Sequence, residues 1–222
     1  MELYDVMRTT FSARQYTGEP LSDETLYDIL ENARFAPSGG NRQGNRVIVV
    51  REKSTRQTLA GLAVPAAKRY AAQVAAGENP WNTIVPTAVT DTEVEATEPS
   101  ESMVETFTTA SVVLVFIVDL SVVASMDKDL DRIGVASGAS IYPFVWNVLL
   151  AARQAGFGGT ITTQAVAEEE GVRALLNIPS QFAVAAVVPL GKPVKQLTRL
   201  RRRPVSEIAS CERFDGKSFR QK

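Results

Sequence analysis

Apolar positions along this chain change period several times, and each change marks an element. Ser22, followed by Asp23 and Glu24, supplies an N-cap with an acidic first turn, after which Leu26, Ile29, Leu30 and Ala33 recur at i, i+3, i+4 and i+7. A helix is predicted there, ending at Pro37-Ser38-Gly39-Gly40. The β-branched run over residues 47–50 reads as a short buried strand. Residues 54–76, rich in Ala, Leu, Lys and Arg, predict a second helix that Pro65 must kink or split. The uninterrupted apolar run within residues 111–119 predicts a central strand covered on both faces. Residues 134–155 predict a long helix, apolar all round and therefore buried, capped by Gly156. A short strand over 160–163, a helix over 165–176 and an interior strand over 182–190 complete the pattern.

Charge singles out two segments. No Lys or Arg occurs from residue 71 to 126, while Glu78, Asp91, Glu93, Glu95, Glu98, Glu101 and Glu105 are acidic. With Pro80, Pro86 and Pro99 interspersed, residues 77–105 read as a mobile excursion. Residues 192–222 carry ten Lys or Arg against three Asp or Glu, with Arg199, Arg201, Arg202 and Arg203 close together. Helices and strands alternate only loosely, so the class is α+β or mixed α/β, in one domain spanning residues 1–222.

Composition then removes whole reaction classes. The 222 residues are 45% hydrophobic with a net charge of −1, the balance of a soluble globular protein. There is no histidine, and Cys211 is the only cysteine. Ser/His/Asp and Cys/His nucleophile pairs, histidine-ligated zinc or haem, and an internal disulfide are thereby excluded, and no metal is expected. A reducing, cytoplasmic location is expected. Nothing from Met1 to Arg8, which includes Glu2 and Asp5, reads as a secretory signal. Even the apolar run over residues 112–118, which no other exceeds, falls short of the roughly 20 residues that span a bilayer.

Three stretches concentrate residues that packing does not demand. Arg8, Ser12 and Arg14 form either a solvated N-terminal face or an anion site. Arg201, Arg202 and Arg203 form either a solvated tail or a phosphate site; the low net charge and the lack of interleaved aromatics argue against nucleic acid. Pro37, Ser38, Gly39, Asn41 and Gln43 form either a plain turn or a cradle of backbone donors, one hydroxyl and two carboxamides suited to a planar heterocycle.

Taken together, Arg8-Thr9-Thr10-Phe11-Ser12-Ala13-Arg14-Gln15-Tyr16, then Ala36 through Gln43, then Val47 to Val50, resemble the opening of the FMN-dependent nitroreductase family. Asn147 to Ala152 with Gly156-Phe157-Gly158-Gly159 is similar to its buried helix and glycine turn, and Arg201 through Glu207 to its basic C-terminal segment. The chain departs from the family where Gln43-Gly44-Asn45 stands for a frequent Gln-Pro-Trp, and where Thr10 and Phe11 replace basic residues. The resemblance implies a mainly antiparallel sheet flanked by helices, in a homodimer whose C-terminal segments are exchanged. It implies FMN held by Arg8, Ser12, Arg14 and Arg201 to Arg203 at the phosphate end, with a Thr10 hydroxyl as the alternative to Arg8. Pro37, Ser38, Gly39, Asn41 and Gln43 would line the ring, and Gly159, Thr160, Thr162 and Thr163 would supply a donor near flavin N5.

The implied activity is ping-pong hydride transfer from NADPH or NADH to a nitroaromatic, quinone or similar small-molecule acceptor. The flavin carries that chemistry, so no catalytic side chain is expected. Residues 77–105 are expected to form a substrate-side lid whose acidity favours neutral acceptors, with Trp81 either stacking on substrate or packing locally. Tyr142, Phe144 and Trp146 are assigned to core or dimer interface, with lining a pocket as the alternative. Rival readings are a flavin-binding storage or stress protein, and a flavin-cleaving, dehalogenating or azoline-oxidising branch of the family.

Overall fold

The computed structural model describes residues 1–220. In chain order, α1 (Leu3–Thr9) and α2 (Asp23–Ala33) precede strand β1 (Asn45–Val50), and α3 (Lys53–Ala75), α4 (Asp91–Ala96) and α5 (Glu101–Thr109) lie between it and β2 (Val112–Asp119). Then come α6 (Tyr142–Gln154), β3 (Gly158–Gly159), α7 (Glu169–Leu176), β4 (Phe182–Gly191) and α8 (Val205–Ile208). The strands form one antiparallel sheet in the order β1-β2-β4-β3. The fold is α+β.

Strand β2 explains the layering. Its run Val112 to Val118 is fully buried because alternate side chains serve two cores. Leu114, Phe116 and Val118 pack with Leu26, Ile29, Val145 and Val148 of α2 and α6, and Phe116 meets Phe144 edge-on at 5.6 Å. Val113, Val115 and Ile117 pack instead with Leu59, Phe107 and Val172 of α3, α5 and α7. Ser22 caps α2 as predicted, accepting a hydrogen bond from Thr25 N–H at 3.1 Å.

Several expectations need correction. Helix α3 runs as a single element across Pro65, which therefore does not split it. The predicted 134–155 helix is a 3-10 turn, Ala136–Ser140, followed by α6, with Pro143 in the first turn of α6. Nor is α6 buried all round: Phe144 is core, whereas Tyr142 and Trp146 are about 40% exposed in the single chain. No strand covers 160–163; past Gly159 only Thr162 bridges, to Val187. The predicted 165–176 helix divides into a 3-10 turn, Gln164–Glu168, and α7. Strand β1 lies at the sheet edge and only Val50 in it is buried. Residues 77–105 contain α4 and most of α5, the former closed by a Thr90/Glu93 capping box. Lys68 of α3 anchors this excursion at Glu98 (3.5 Å) and at the Glu95 carbonyl (3.1 Å). Helices α1 and α8 carry no sequence signal that predicts them.

Candidate functional site

The chain passes from β3 into the Thr160–Thr163 segment beside a cavity of about 600 Å³, within the range of small-molecule sites. Arg14, Tyr70, Trp81, Thr106, Thr160, Thr162 and Thr163 line it, with Ala66, Pro80, Met103, Ile161, Gln164, Val166 and Ala167. Its walls are therefore supplied by α3, α5, the excursion and the turn after Gly159.

Local packing fixes the Arg14 side. The buried Tyr16 hydroxyl lies within hydrogen-bonding distance of the Ala13 carbonyl (2.7 Å) and the Pro189 carbonyl (2.9 Å), pinning this segment to β4. Burial pushes the Tyr16 phenol above its usual range, opposed by the Thr106 hydroxyl and the Arg14 charge. Ser12 pairs with Gly159 in a parallel bridge, and Ala13 N–H donates to the Gly159 carbonyl at 3.0 Å. Gly159 must be glycine, since a Cβ there would lie 2.6 Å from the Pro189 carbonyl oxygen. Immediately after it, Thr160 is buried with its Oγ1 lacking any hydrogen-bond partner. Thr106 Oγ1, although near enough to Tyr16 to influence it, likewise makes no hydrogen bond of good geometry. Thr162 N–H already donates to the Val187 carbonyl at 3.0 Å, which removes that backbone donor from the set expected at the turn.

At the mouth sits Trp81, about half exposed, with φ +56°. The Arg69 guanidinium lies 4.9 Å from its ring centroid. Of the cavity-lining residues, Arg14 alone carries a formal charge near neutral pH. Such a chamber can bind and orient an anionic, partly apolar group; it offers no side-chain acid or base matched to neutral pH.

The other sequence-predicted residues lie elsewhere. Pro37, Ser38, Gly39, Asn41 and Gln43 form a 3-10 turn, Gly39–Asn41, and its flanks. Ser38 Oγ accepts from Gln43 N–H at 2.9 Å, and Ser140 Oγ from Gly39 N–H at 3.2 Å. Gly40, Asn41 and Gln43 all have positive φ, and the turn's own backbone donors are largely used within it, Asn41 N–H by the Ser38 carbonyl (2.8 Å) and Arg42 N–H by the Gly39 carbonyl (3.3 Å). This turn joins the C-terminal end of β2 through Asp119 N–H to the Gly44 carbonyl, whereas Gly159 pairs with Leu190, which pairs with Val112 at the other end. Eight strand residues at about 3.3 Å each put the two ends on the order of 20 Å apart. Arg8 is exposed on α1, its guanidinium 5.9 Å from the Tyr4 ring centroid. Arg201, Arg202 and Arg203 occupy an exposed extended segment before α8, where Arg202 donates to the Arg201 carbonyl at 2.7 Å. None of these lines the cavity within one chain. Thr10 is buried and donates to the Val6 carbonyl at 2.7 Å, so its expected role as a free hydroxyl donor is overturned.

Tyr70, Thr106 and the supports of Trp81 were not singled out from sequence. The spacing of Ala66 and Tyr70, one turn apart on α3, could have revealed a shared face; nothing local marks Thr106. Among the described residues no helix is long and apolar enough to cross a membrane, and no group of His, Cys, Asp or Glu suits a metal ion.

A model described as the Nitroreductase family matches residues 7–192. Among solved structures, NfrA2 of B. megaterium is similar with 19% identity and a TM-score of 0.68, over 97% of this chain and 76% of that one. The NADPH:FMN oxidoreductase of Vibrio harveyi, complexed with NAD+, shows 19% identity and a TM-score of 0.67, over 96% and 78%. An oxidized iodotyrosine deiodinase bound to FMN and 3-iodo-L-tyrosine shows 22% identity and a TM-score of 0.66, over 96% of this chain and 100% of its own. At these identities the structures establish a shared fold.

Proposed function

The chain belongs to the nitroreductase family, and from that premise we propose an FMN-dependent oxidoreductase that draws on NADPH or NADH to reduce a neutral nitroaromatic, quinone or similar acceptor. The observation that carries this reading is the cavity itself, where two buried hydroxyls, Thr160 and Thr106, lack partners beside the Arg14 guanidinium. A buried polar atom without a partner is costly, so it marks a place for a ligand that completes it. The fit with FMN is chemical: a cation for its anionic end, hydroxyls for its polar edge, and apolar walls for its ring.

When bound, FMN supplies the hydride-transfer chemistry between nicotinamide and acceptor. Arg14 offsets the phosphate charge, with Ser12 beside it. Thr160 and Thr163 offer hydroxyl donors on one wall, with Thr162 and Gly159 shaping the turn that holds them. Trp81 and Tyr70 flank the mouth, through which nicotinamide and acceptor enter in turn. Residues 77–105 form the lid, whose acidic surface repels anionic acceptors. Protons for the acceptor come from water, since the lining holds no carboxylate, imidazole, amine or thiol.

The same reading calls for two copies. Pro37, Ser38, Gly39, Asn41 and Gln43 sit at the far end of β2 from Arg14 and Thr160, a separation that supports sharing one flavin between two chains. A homodimer does so if the turn of one protomer faces the cavity of its partner. An exchanged C-terminal segment would carry Arg201, Arg202 and Arg203 to the phosphate, with Arg8 nearby. The lone exposed thiol, Cys211, suits a reducing cytoplasm.

The test is purified protein, which should be yellow, bleach anaerobically with NADPH or NADH, and regain colour on adding a nitroaromatic or quinone. Flavin that binds but resists both nicotinamides would make this a storage protein. Halide release from a halogenated phenol in place of nitro-compound turnover would assign a dehalogenating branch. Colourless protein that cannot be reconstituted with FMN would sink the reading altogether.

A further inference from the structure

The segment that presents Trp81 is held by a side-chain relay. Gln73, buried on the last turns of α3, uses both ends of its amide: Oε1 accepts from Trp81 N–H at 3.1 Å, and Nε2 donates to Glu78 Oε2 at 3.1 Å. Glu78 uses both oxygens as well. Oε2 also accepts from Thr87 Oγ1 at 2.6 Å, and Oε1 accepts from Ala88 N–H at 2.7 Å. Glu78 N–H in turn donates to the Gln73 carbonyl at 2.9 Å. The descending limb (Glu78 to Trp81) and the returning limb (Thr87, Ala88) of the excursion are therefore joined through one carboxylate and one carboxamide.

The relay holds a conformation the backbone would otherwise leave. Trp81 has φ +56°, a region that bulky L-residues avoid, so its placement needs outside support. Gln73 supplies that support from the rigid helix, and Arg69 stacks on the ring from the same helix. Neither Gln73 nor Glu78 lines the cavity, so each acts through Trp81.

We propose that Gln73 and Glu78 are specificity-determining positioning residues, whose relay fixes Trp81 across the cavity mouth and so selects planar aromatic acceptors over small non-aromatic ones. This rests on the reading of the cavity as the acceptor site. Hydrogen bonds from Thr87 and then Ala88 hold the Glu78 carboxyl below its usual range.

The experiment uses the FMN-loaded protein in a Trp146→Phe background, where Trp81 is the only tryptophan. Gln73→Leu keeps similar volume and removes both amide contacts. It should raise KM for a nitroaromatic roughly ten-fold, the scale of one lost aromatic contact, with kcat changed less than about two-fold. Trp81 emission should shift to longer wavelength with lower anisotropy. Glu78→Ala should do the same, and Glu78→Gln, which retains one acceptor oxygen, should fall between it and the parent. Unaltered KM and unaltered Trp81 emission in Gln73→Leu would overturn the proposal. So would a parallel loss of FMN, kcat and KM, which a purely structural role predicts. Trp81→Ala separates the layers: if it leaves KM unchanged, the acceptor does not touch Trp81 and the underlying site reading is wrong, whatever the emission of Gln73→Leu reports.

Discussion

Thr160 buries a hydroxyl that nothing among the described residues answers. Such a group costs about 1–3 kcal/mol, so Thr160→Val should leave the FMN-free protein as stable or stabilise it by about 1 kcal/mol. The same change should weaken FMN binding several-fold, so urea unfolding with and without FMN should move in opposite senses. An equal gain in both forms would remove Thr160 from the flavin site. Its neighbour sets a steric test. Gly159→Ala places a Cβ 2.6 Å from the Pro189 carbonyl oxygen and 3.2 Å from Leu149 Cδ2, so a loss of roughly 1–3 kcal/mol in the same assay is expected. Both residues were named from the sequence only through the family resemblance, which implies a donor near flavin N5 at this turn. Thr106 and Gln73 were not, since what distinguishes them is which distant atoms they face.

Elements were legible in proportion to how local their causes are. The cap and periodicity of α2 and the apolar run of β2 lie within the segments themselves. The 3-10 turn before α6 depends on a longer-range anchor. Asp127 is buried and accepts from Val135 N–H (2.7 Å), Ala136 N–H and Arg132 (2.9 Å), closing residues 127–136 into a loop. No periodicity encodes that closure. These contacts, the Val135 N–H first, hold the Asp127 carboxyl well below its usual range. A folded-state value below the unfolded one, near 3.9, means the contribution is complete above about pH 5 and lost as pH falls through the lowered value. Asp127→Ala should therefore lower Tm at neutral pH, with the gap from the parent closing in strong acid. A gap that stays constant from pH 7 to pH 2 would show that the carboxylate charge does not hold this loop.

At the scale of the whole molecule, strand order and the separation of the two candidate flavin-binding sets were beyond sequence reading, because both arise from pairings between distant segments. Those pairings also leave the C-terminal segment without a core of its own. Phe214 is fully exposed, and Val205, Ile208 and Phe219 are more than half exposed, on an arm with a strong basic excess. A second copy is the occupant that the proposed homodimer provides for these apolar residues. Since the net charge of the chain is −1, the remainder is acidic and complementary to the arm. Phe214→Asp with Phe219→Asp should thus raise the dimer dissociation constant at least ten-fold in sedimentation measurements. Added salt should weaken the parent dimer, because exposed charges attract less once screened. If the arm also delivers Arg201 to Arg203, FMN affinity must fall with dimer content. A variant that becomes monomeric yet binds FMN as tightly as the parent would show that a single protomer completes the site, contrary to the separation of its two halves along β2.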